Sequence, residues 1–241
     1  MIAWHRTDAI ARITIDRGGA RNAITLKGWD ALIQAARDIA ASDAHVVVLA
    51  AGGAAFSAGA DLSEMATLAA DAGARTQFRL AMRGAIDALA ALPMPLVAAV
   101  DGGCYGAAVA LVLAADLIVV GDGASFAITP AKLGIGYPGE DVARLVARIG
   151  AGQASRMLLT AQAIDADEAW RIGLAQYRAV DAAVAAASLT EGTAALAPSA
   201  LRLLKRTIAD PLAPGAAGAF EAAFGGPAFA ERLAAFRARL R

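Results

Sequence analysis

Short apolar runs alternate with amphipathic segments along the first half of the chain. Apolar and β-branched residues fill residues 10–16, 46–49 and 96–100, which predicts three strands, the second of them buried. Apolar residues recur at helical spacing after Thr25, so this residue is expected to cap a helix. A further helix is predicted over residues 77–92, and the prolines that follow end it. The pattern indicates strand–turn–helix units.

The second half of the chain becomes mostly helical. An alanine-rich segment at residues 106–115 predicts a helix, and residues 117–120 and 125–128 predict short strands. Beyond these strands the spacing is helical, with one more strand expected at residues 176–180. The chain ends in a predicted amphipathic basic helix over residues 227–241.

Composition narrows the classes of protein to which the chain can belong. Hydrophobic residues make up 58% of the 241 residues and charged residues 18%, which is typical of a globular protein. The formal net charge of zero argues against nucleic acid as the main partner. A single cysteine, Cys104, cannot form an intramolecular disulfide. We recognise no secretory leader and no membrane-spanning stretch, so we expect a cytoplasmic protein without a membrane partner.

Two of the predicted strands lead into loops of small residues that precede a helix. One loop covers residues 56–62 and the other covers residues 102–108. Small residues let a backbone approach a ligand closely, and the start of a helix presents N–H groups without partners. Two such loops facing one point would form an oxyanion hole for developing negative charge. The alternative is close packing between strand and helix. Neither loop has the spacing of a P-loop, which argues against nucleotide binding.

An ordered set of motifs, running from about residue 10 to the end, resembles the enoyl-CoA hydratase/isomerase (crotonase) family. The two small-residue loops are similar to the family's oxyanion segments, and residues 21–24 are similar to its early signature near the coenzyme A site. The other matching blocks are residues 115–117, Phe126, Pro130, Leu133, Gly134, residues 168–174, residues 229–232 and Phe236. The order of these blocks carries the resemblance more than any one of them.

The resemblance implies an α/β fold of the crotonase type. Residues 1–195 would form a spiral of ββα units, and residues 196–241 would form a helical C-terminal trimerisation region. Members of the family form homotrimers, often paired into hexamers, so we expect a trimer or a hexamer. The implied partner is an acyl-CoA thioester. Coenzyme A would be part of the substrate, with no separate cofactor and no metal.

The resemblance also assigns residues of the site by position. The oxyanion donors would be the backbone N–H groups of Ala60 and Ala107, and the second position normally holds glycine. Tyr105 is expected to line the acyl pocket, although a packing role is an equal alternative. Contacts with substrate or coenzyme A are assigned to Arg21, Ala23, Ala58, Asp61, Leu62 and Tyr105.

The chain departs from the family at the two glutamates with which a hydratase activates water and moves its proton. Paired carboxylates suit this reaction because one can act as base and the other as acid. The aligned positions here are Ala110 and Pro130, and neither side chain can transfer a proton. We therefore expect isomerase or decarboxylase chemistry rather than ordinary hydration.

Three protic residues just beyond, Tyr137, Glu140 and Asp141, are candidate catalytic groups. Some isomerase and thioesterase relatives carry a catalytic aspartate in this loop, a few residues earlier than Asp141. The alternative is that Glu140 and Asp141 are first-turn carboxylates of a helix over residues 142–149, where they favour the helix dipole. The sequence leaves both interpretations open.

Residues 126–137 are similar to a branch of the family that includes methylmalonyl-CoA decarboxylase. Decarboxylation makes an enolate without a base, and Tyr137 would then orient the carboxylate. The histidine of that branch is replaced here by Ala60. The leading hypothesis is an acyl-CoA enzyme that works through a thioester enolate, and the alternative is a catalytically silent acyl-CoA binder. Catalysis should depend on residues 137–141 rather than on either histidine or the cysteine.

Overall fold

The computed structural model describes residues 1–239, apart from the side chain of Met65. Leu240 and Arg241, which the predicted C-terminal helix included, lie outside the described residues. The strands are β1 (Ile2–Thr7), β2 (Ile10–Ile15), β3 (Val46–Ala51), β4 (Leu96–Val100), β5 (Gly103–Tyr105), β6 (Leu117–Gly121), β7 (Ser125–Ala127), β8 (Ile164–Asp165) and β9 (Tyr177–Ala179). The helices are α1 (Leu26–Ala40), α2 (Leu62–Ala70), α3 (Ala72–Ala90), α4 (Ala107–Val112), α5 (Gly139–Thr160), α6 (Ala166–Arg171), α7 (Ala182–Ala194), α8 (Pro198–Ala209), α9 (Ala216–Phe224) and α10 (Pro227–Arg239).

The strands form a large and a small sheet. The strand order is β1-β2-β3-β4-β6-β9 in the large sheet and β5-β7-β8 in the small one. In the large sheet β1 is antiparallel to β2, whereas all the other neighbours are parallel. Parallel neighbours need a crossover connection, which the intervening helices and small-sheet strands provide.

Successive turns of the chain follow the same path, with one strand in each sheet and then a helix. β4, β5 and α4 form one such turn, and β6, β7 and α5 form the next. The turn that begins with β3 has an isolated bridge in place of its second strand, where Ser57 pairs in parallel with Cys104 of β5. This arrangement confirms the expected spiral of ββα units.

The large sheet is buried on both faces. Along β3, Val47 and Leu49 belong to the main core, together with residues of α1 and α3. Val46 and Val48 point to the opposite face, where Ala182 of α7 packs with them. A strand that is covered on both sides needs an unbroken apolar sequence, which is the signal from which β3 was predicted.

The predicted cap of α1 is present and is linked to α2. The Gly28 N–H donates to the Thr25 hydroxyl (3.2 Å), as expected for an N-cap. The Leu26 N–H donates to the Glu64 carboxylate (2.9 Å) from α2. The start of α1 is therefore held from both sides, which positions the loop that precedes it.

β1 was not predicted from the sequence, and the helix expected after the loop at residues 56–62 was given no bounds. Ile2 and Trp4 of β1 are half-buried while their neighbours are exposed, but this alternation covers only two apolar positions. α2 begins where Asp61 accepts a hydrogen bond from the Ser63 N–H (2.8 Å). The helix predicted over residues 142–149 belongs to the longer α5, which is kinked at Gly150 by a backbone φ of 75°.

The C-terminal helices are tied to the core by polar contacts. The Lys205 ammonium on α8 donates to the Met94 carbonyl (3.1 Å) and pairs with Asp116 (2.7 Å). Arg232 on α10 donates to the Ala195 carbonyl (2.9 Å). The predicted boundary between residues 195 and 196 falls between α7 and α8. Within residues 1–239, no helix combines the length and the apolar character that a membrane crossing requires.

Candidate active site

The first small-residue loop is fixed against the segment that precedes α1. The Ile24 N–H donates to the Gly59 carbonyl (2.7 Å), and the Asp61 N–H donates to the Ile24 carbonyl (3.0 Å). In this parallel bridge the N–H of Ala60 points away from Ile24. Within residues 1–239 the Ala60 N–H has no hydrogen-bond acceptor, so it is free to meet a ligand.

The Asn22 side chain anchors the chain segment that leads into this loop. Its side-chain amide donates to the carbonyls of Gly52 and Ala55 (both 2.8 Å), and its oxygen accepts from the Arg17 N–H (2.6 Å). The residue is buried and has a left-handed backbone with φ of 57°, which asparagine tolerates better than most residues. The sequence placed Asn22 in a family signature but gave it no role, because its partners lie far away along the chain.

The second small-residue loop lies directly against the first. The Ser57 N–H donates to the Gly103 carbonyl, and the Tyr105 N–H donates to the Ser57 carbonyl (both 3.0 Å). At Gly59, where φ is +92°, an added Cβ would lie 2.5 Å from the Tyr105 carbonyl oxygen and 3.1 Å from the Ala107 nitrogen. Only glycine fits this contact, which brings the two loops together.

The two residues that carry the free N–H donors line one cavity of about 170 Å³. Ala60 and Ala107 both line it, and in the described part of the chain the Ala107 N–H, like that of Ala60, has no acceptor. The rest of the wall is mainly apolar, with side chains from α2, α3 and the segment before α5. These side chains are Leu62, Phe78, Met82, Leu133, Ile135 and Tyr137. The arrangement suits an apolar group attached to a polarised carbonyl.

An outer cavity of about 410 Å³ continues from the inner one. All of the residues to which the sequence assigned substrate contacts line it. They are Arg21, Ala23, Ala58, Asp61, Leu62 and Tyr105. Lys132, which was not predicted as a site residue, also lines this cavity. Lys132 lies between Pro130 and Leu133, which were matched to the family, and this position could have indicated a role in the site. Arg21 and Lys132 make this part of the cleft suitable for an anionic group.

Two of these residues already have partners within the protein. The Ala58 N–H donates to the Arg21 carbonyl (2.9 Å), so it is not a free donor. Asp61 accepts hydrogen bonds from Ser63 and pairs with Arg17. These contacts, those of Ser63 first, lower the pKa of Asp61 from 3.8 to about 2. Asp61 is therefore ionised at neutral pH and holds the start of α2.

Tyr137 lies behind the second loop. Its hydroxyl donates to the Gly106 carbonyl (3.0 Å), and its ring packs against the main core. Burial, followed by the nearby charge of Asp141, raises the pKa of Tyr137 well above its usual value, so the phenol stays protonated. Gly106 has a positive φ of 56°, which turns its carbonyl out of the strand and towards this hydroxyl.

The other two candidate catalytic groups are not brought into the inner cavity. Asp141 is fully buried, and its carboxylate pairs with Arg83 of α3 (2.7 Å). Burial raises the pKa of Asp141, while the Arg83 pair opposes that change. Glu140 is exposed in the first turn of α5. In this structure both carboxylates occupy helix-start positions, which was the alternative left open by the sequence.

The two positions aligned with hydratase glutamates differ in their relation to the inner cavity, because Ala110 is not among the residues that line it. Pro130 lines the inner cavity, and Ala110 is fully buried on α4 beside the Tyr137 hydroxyl. Among the described residues that line the inner cavity there is no Asp, Glu, His or Cys. The protic side chains that reach it are those of Thr129 and Tyr137.

Sequence comparison identifies the family directly. Residues 5–221 match the sequence model of the enoyl-CoA hydratase/isomerase family. The chain is 35% identical over 212 residues to a Mycobacterium tuberculosis protein named "Probable enoyl-CoA hydratase echA6", a match that covers 87% of this chain and 83% of that protein.

Solved structures agree with this assignment. An enoyl-CoA hydratase/isomerase family protein from Hyphomonas neptunium superposes with a TM-score of 0.95 at 32% identity, covering 99% of this chain and 95% of the other. An enoyl-CoA hydratase/carnithine racemase from Magnetospirillum magneticum gives a TM-score of 0.94 at 32% identity, with 99% and 92% covered. The matching family model, the sequence relatives and the shared fold together show that this chain belongs to the enoyl-CoA hydratase/isomerase (crotonase) family of enzymes.

Proposed function

We propose that the chain binds an acyl-CoA thioester and stabilises the enolate formed from it. The thioester carbonyl would lie between the N–H groups of Ala60 and Ala107. The observation that carries this proposal is that both N–H groups lack an acceptor within residues 1–239 while their residues line one cavity. Donors arranged in advance around a developing oxyanion are among the largest contributions to catalysis.

Hydration of an enoyl-CoA is not the reaction that this cavity favours. Addition of water needs a group that removes a proton from it and a group that supplies one to carbon. Ala110 and Pro130 occupy the positions of the two hydratase glutamates, and the described inner lining has no carboxylate that could replace them. We therefore assign isomerisation or decarboxylation in preference to hydration.

Decarboxylation makes the smaller demand on the site. In a malonyl-type thioester, the electrons of the breaking carbon–carbon bond pass to the thioester carbonyl, carbon dioxide leaves, and the enolate then takes up a proton at its α-carbon. No protein base is required. Isomerisation instead needs a base, and Glu140 or Asp141 would have to move to serve as one, since neither lines the inner cavity. The substrate class is accordingly a malonyl-type or an unsaturated acyl-CoA.

A catalytically silent acyl-CoA binder is the second candidate, and the same carboxylate-free lining favours it. Calorimetry with acetyl-CoA and longer acyl-CoAs, followed by turnover assays with malonyl-type, enoyl and dienoyl thioesters, separates the candidates. We expect binding and slow or absent hydration of crotonyl-CoA. Binding without turnover of any thioester would favour the silent binder, and no binding at millimolar ligand would contradict both.

A proline substitution tests the oxyanion assignment directly. Ala107→Pro removes the donor at the first position of α4, where proline is tolerated in helices, and the preceding Gly106 is permissive. We expect turnover to fall by roughly 10²–10³-fold. The matched control is Ala72→Pro at the first position of α3, which should keep its activity. Equal activity in both variants would refute the assignment.

We also propose that the chain forms homotrimers or hexamers through α8, α9 and α10. A largely apolar groove of about 810 Å³ lies among these helices, lined by Leu203, Leu204, Phe220, Phe224 and Phe229 among others. Further apolar side chains of this region, including Ile208, Leu212 and Phe236, are also exposed, as is typical of a surface that another subunit covers. Sedimentation should find a trimer or a hexamer, and a stable monomer at micromolar concentration would contradict this proposal.

A further inference from the structure

The Gly106 carbonyl and the Ala107 N–H belong to one peptide unit. Ala107 lines the inner cavity and its N–H has no acceptor among the described residues, whereas the Gly106 carbonyl accepts hydrogen bonds from the Tyr137 hydroxyl and the Val109 N–H (both 3.0 Å). A peptide unit is planar and stiff, so a contact that fixes its oxygen also fixes the direction of its N–H. The hydrogen bonds to the Gly106 carbonyl therefore fix the orientation of the Ala107 N–H, one of the two proposed oxyanion donors.

The Tyr137 hydroxyl has one proton to donate. That proton is used on the Gly106 carbonyl, and the backbone N–H of Ala110 lies beside the same hydroxyl oxygen. The hydroxyl can give a proton to a substrate carboxylate only by releasing Gly106. The hydrogen bond to the Gly106 carbonyl thus gives the Tyr137 hydroxyl a role that requires no proton transfer to or from the substrate.

We propose that Tyr137 is a positioning residue of the oxyanion hole, whose hydroxyl aligns and polarises the Gly106–Ala107 peptide. This inference rests on the proposed function. Hydrogen bonds in a chain strengthen one another, so donation to the carbonyl makes the N–H of the same peptide a better donor. Tyr137 acts on the thioester through that peptide, and neither accepts nor donates a proton during the reaction.

The segment that carries Tyr137 is anchored for this role. The Asp141 N–H donates to the Pro138 carbonyl (3.0 Å), which closes the turn after Tyr137. The Asp141 carboxylate then pairs with Arg83 on α3. α3 also contributes Phe78 to the wall of the inner cavity. The buried ion pair thus joins α3, which lines the inner cavity, to the segment that carries Tyr137.

Infrared spectroscopy of a bound thioester labelled with ¹³C at its carbonyl tests the proposal without depending on turnover. A good oxyanion hole moves the carbonyl stretch to lower frequency. In Tyr137→Phe this shift should shrink, while acyl-CoA affinity stays within about twofold. Where a reaction is measurable, kcat should fall about three- to tenfold with KM nearly unchanged, as expected for the weakening of one hydrogen bond. Tyr177→Phe, at the exposed third tyrosine, should behave as wild type.

A fluorinated tyrosine at position 137 supplies the opposite change and does not depend on whether Tyr137→Phe folds. 3-Fluorotyrosine is the stronger hydrogen-bond donor, so the carbonyl shift should increase. An unchanged shift in both variants overturns the positioning role. A wild-type protein that binds acyl-CoA with no shift at all overturns the proposed oxyanion hole itself, and the positioning role with it. Loss of turnover in Tyr137→Phe with the full carbonyl shift retained would instead assign Tyr137 to proton transfer.

Discussion

Gly59 is the residue at which the two donor loops touch. Its φ of +92° and the 2.5 Å that would separate an added Cβ from the Tyr105 carbonyl oxygen leave no room for a side chain. The added Cβ would clash with a backbone atom, which cannot rotate away as a side chain can, and the positive φ would strain any residue other than glycine. The spacing of the two N–H donors therefore depends on this glycine.

Gly59→Ala should lower the free energy of unfolding by about 1–3 kcal/mol and also weaken acyl-CoA binding. Urea unfolding and calorimetry measure the two effects. The control is Gly192→Ala, inside α7, where an added Cβ meets nothing within 4 Å. That change should be neutral or stabilising by up to about 1 kcal/mol. A Gly59→Ala protein as stable as wild type would contradict the contact.

Asp61 makes stability depend on pH in the acid range. Its pKa is about 2 in the folded protein against 3.8 ordinarily, mainly because of hydrogen bonds from Ser63 and Arg17. The depressed pKa stabilises the fold above pH 3.8, and that stability is lost as the pH falls towards 2. The contribution is at most about 2 kcal/mol, since Arg17 is partly exposed to solvent.

Unfolding measured between pH 5 and pH 2 tests this contribution. Asp61→Asn should be less stable than wild type at the upper end of the range, and the two curves should converge at the lower end. The exposed Asp43→Asn is the control and should follow the wild-type curve. Parallel curves for Asp61→Asn and wild type would exclude Asp61 as the source of the acid dependence.

At the level of single residues, the oxyanion role of Ala60 and Ala107 stays a prediction, and both residues line one cavity. Small residues after a strand indicate a loop that a ligand can approach, whereas the choice of Ala60 and Ala107 came from the resemblance to the family. The partner of Asp141 is Arg83, 58 residues away along the chain, so nothing near Asp141 in the sequence indicates it. The contact between Tyr137 and Gly106 spans 31 residues and was invisible for the same reason.

At the scale of elements, the junction of α3 with α5 depends on buried charge. The Asp141 side chain is fully buried and its Oδ2 has no partner among the described residues, while its Oδ1 pairs with Arg83. A buried carboxylate that loses its cation is left uncompensated in a medium of low dielectric constant. This pair fixes the geometry of the junction, whatever its net effect on stability.

Arg83→Met should destabilise the protein by up to about 3 kcal/mol, because it leaves the buried Asp141 with only its longer ion pair to Arg144 (3.7 Å). Replacing both partners, as in Arg83→Met with Asp141→Leu, should recover part of the loss. Equilibrium unfolding of the two single variants and the double variant gives the coupling energy. Arg79→Met, on an exposed position of α3, is the control and should change stability by no more than about 0.5 kcal/mol. Equal losses for Arg83→Met and the control would refute the prediction.

The elements themselves were largely predictable because they carry strong local signals. β3 and β4 are unbroken apolar runs, and α1 has both a capping residue and helical spacing. β1 was missed since it is an edge strand with two inward apolar positions. The helix expected after residues 56–62 was given no bounds, because α2 is short and its start depends on Asp61. The helix end predicted at residue 149 coincides with the non-helical Gly150, where α5 consists of two helical segments joined by a kink.

At the scale of the whole molecule, the fold was recognised through the order of its motifs rather than from periodicity. Strand–helix alternation alone fits several parallel α/β folds. The two-sheet spiral depends on which strands pair, and β5 pairs with β7 across the intervening β6. No single segment of the sequence predicts a strand pairing of this kind. The resemblance supplied the spiral of ββα units, and the structure confirms that architecture.

The apolar groove of α8, α9 and α10 should mediate self-association. Phe220 lines it, is 62% exposed and packs edge-on against Phe224, so it is available to another copy of the chain. Phe220→Glu should shift the protein towards monomer in sedimentation and leave the unfolding of the core nearly unchanged. Val184→Glu, at an exposed apolar position of α7, should keep the wild-type assembly. Unaltered assembly in Phe220→Glu would place the contact elsewhere.

The two-sided burial of the large sheet has a consequence for synthesis of the chain. β2, β3, β4 and β6 can join the sheet in the order in which the ribosome releases them. Their second face, with Val46, Val48, Val97 and Val119, is covered by α7, which begins only at Ala182. The nascent chain therefore carries a bare valine surface from the completion of β3 until α7 emerges. During that interval we expect the nascent chain to be most prone to aggregation and to chaperone binding. Truncations before α7 should therefore aggregate rather than fold.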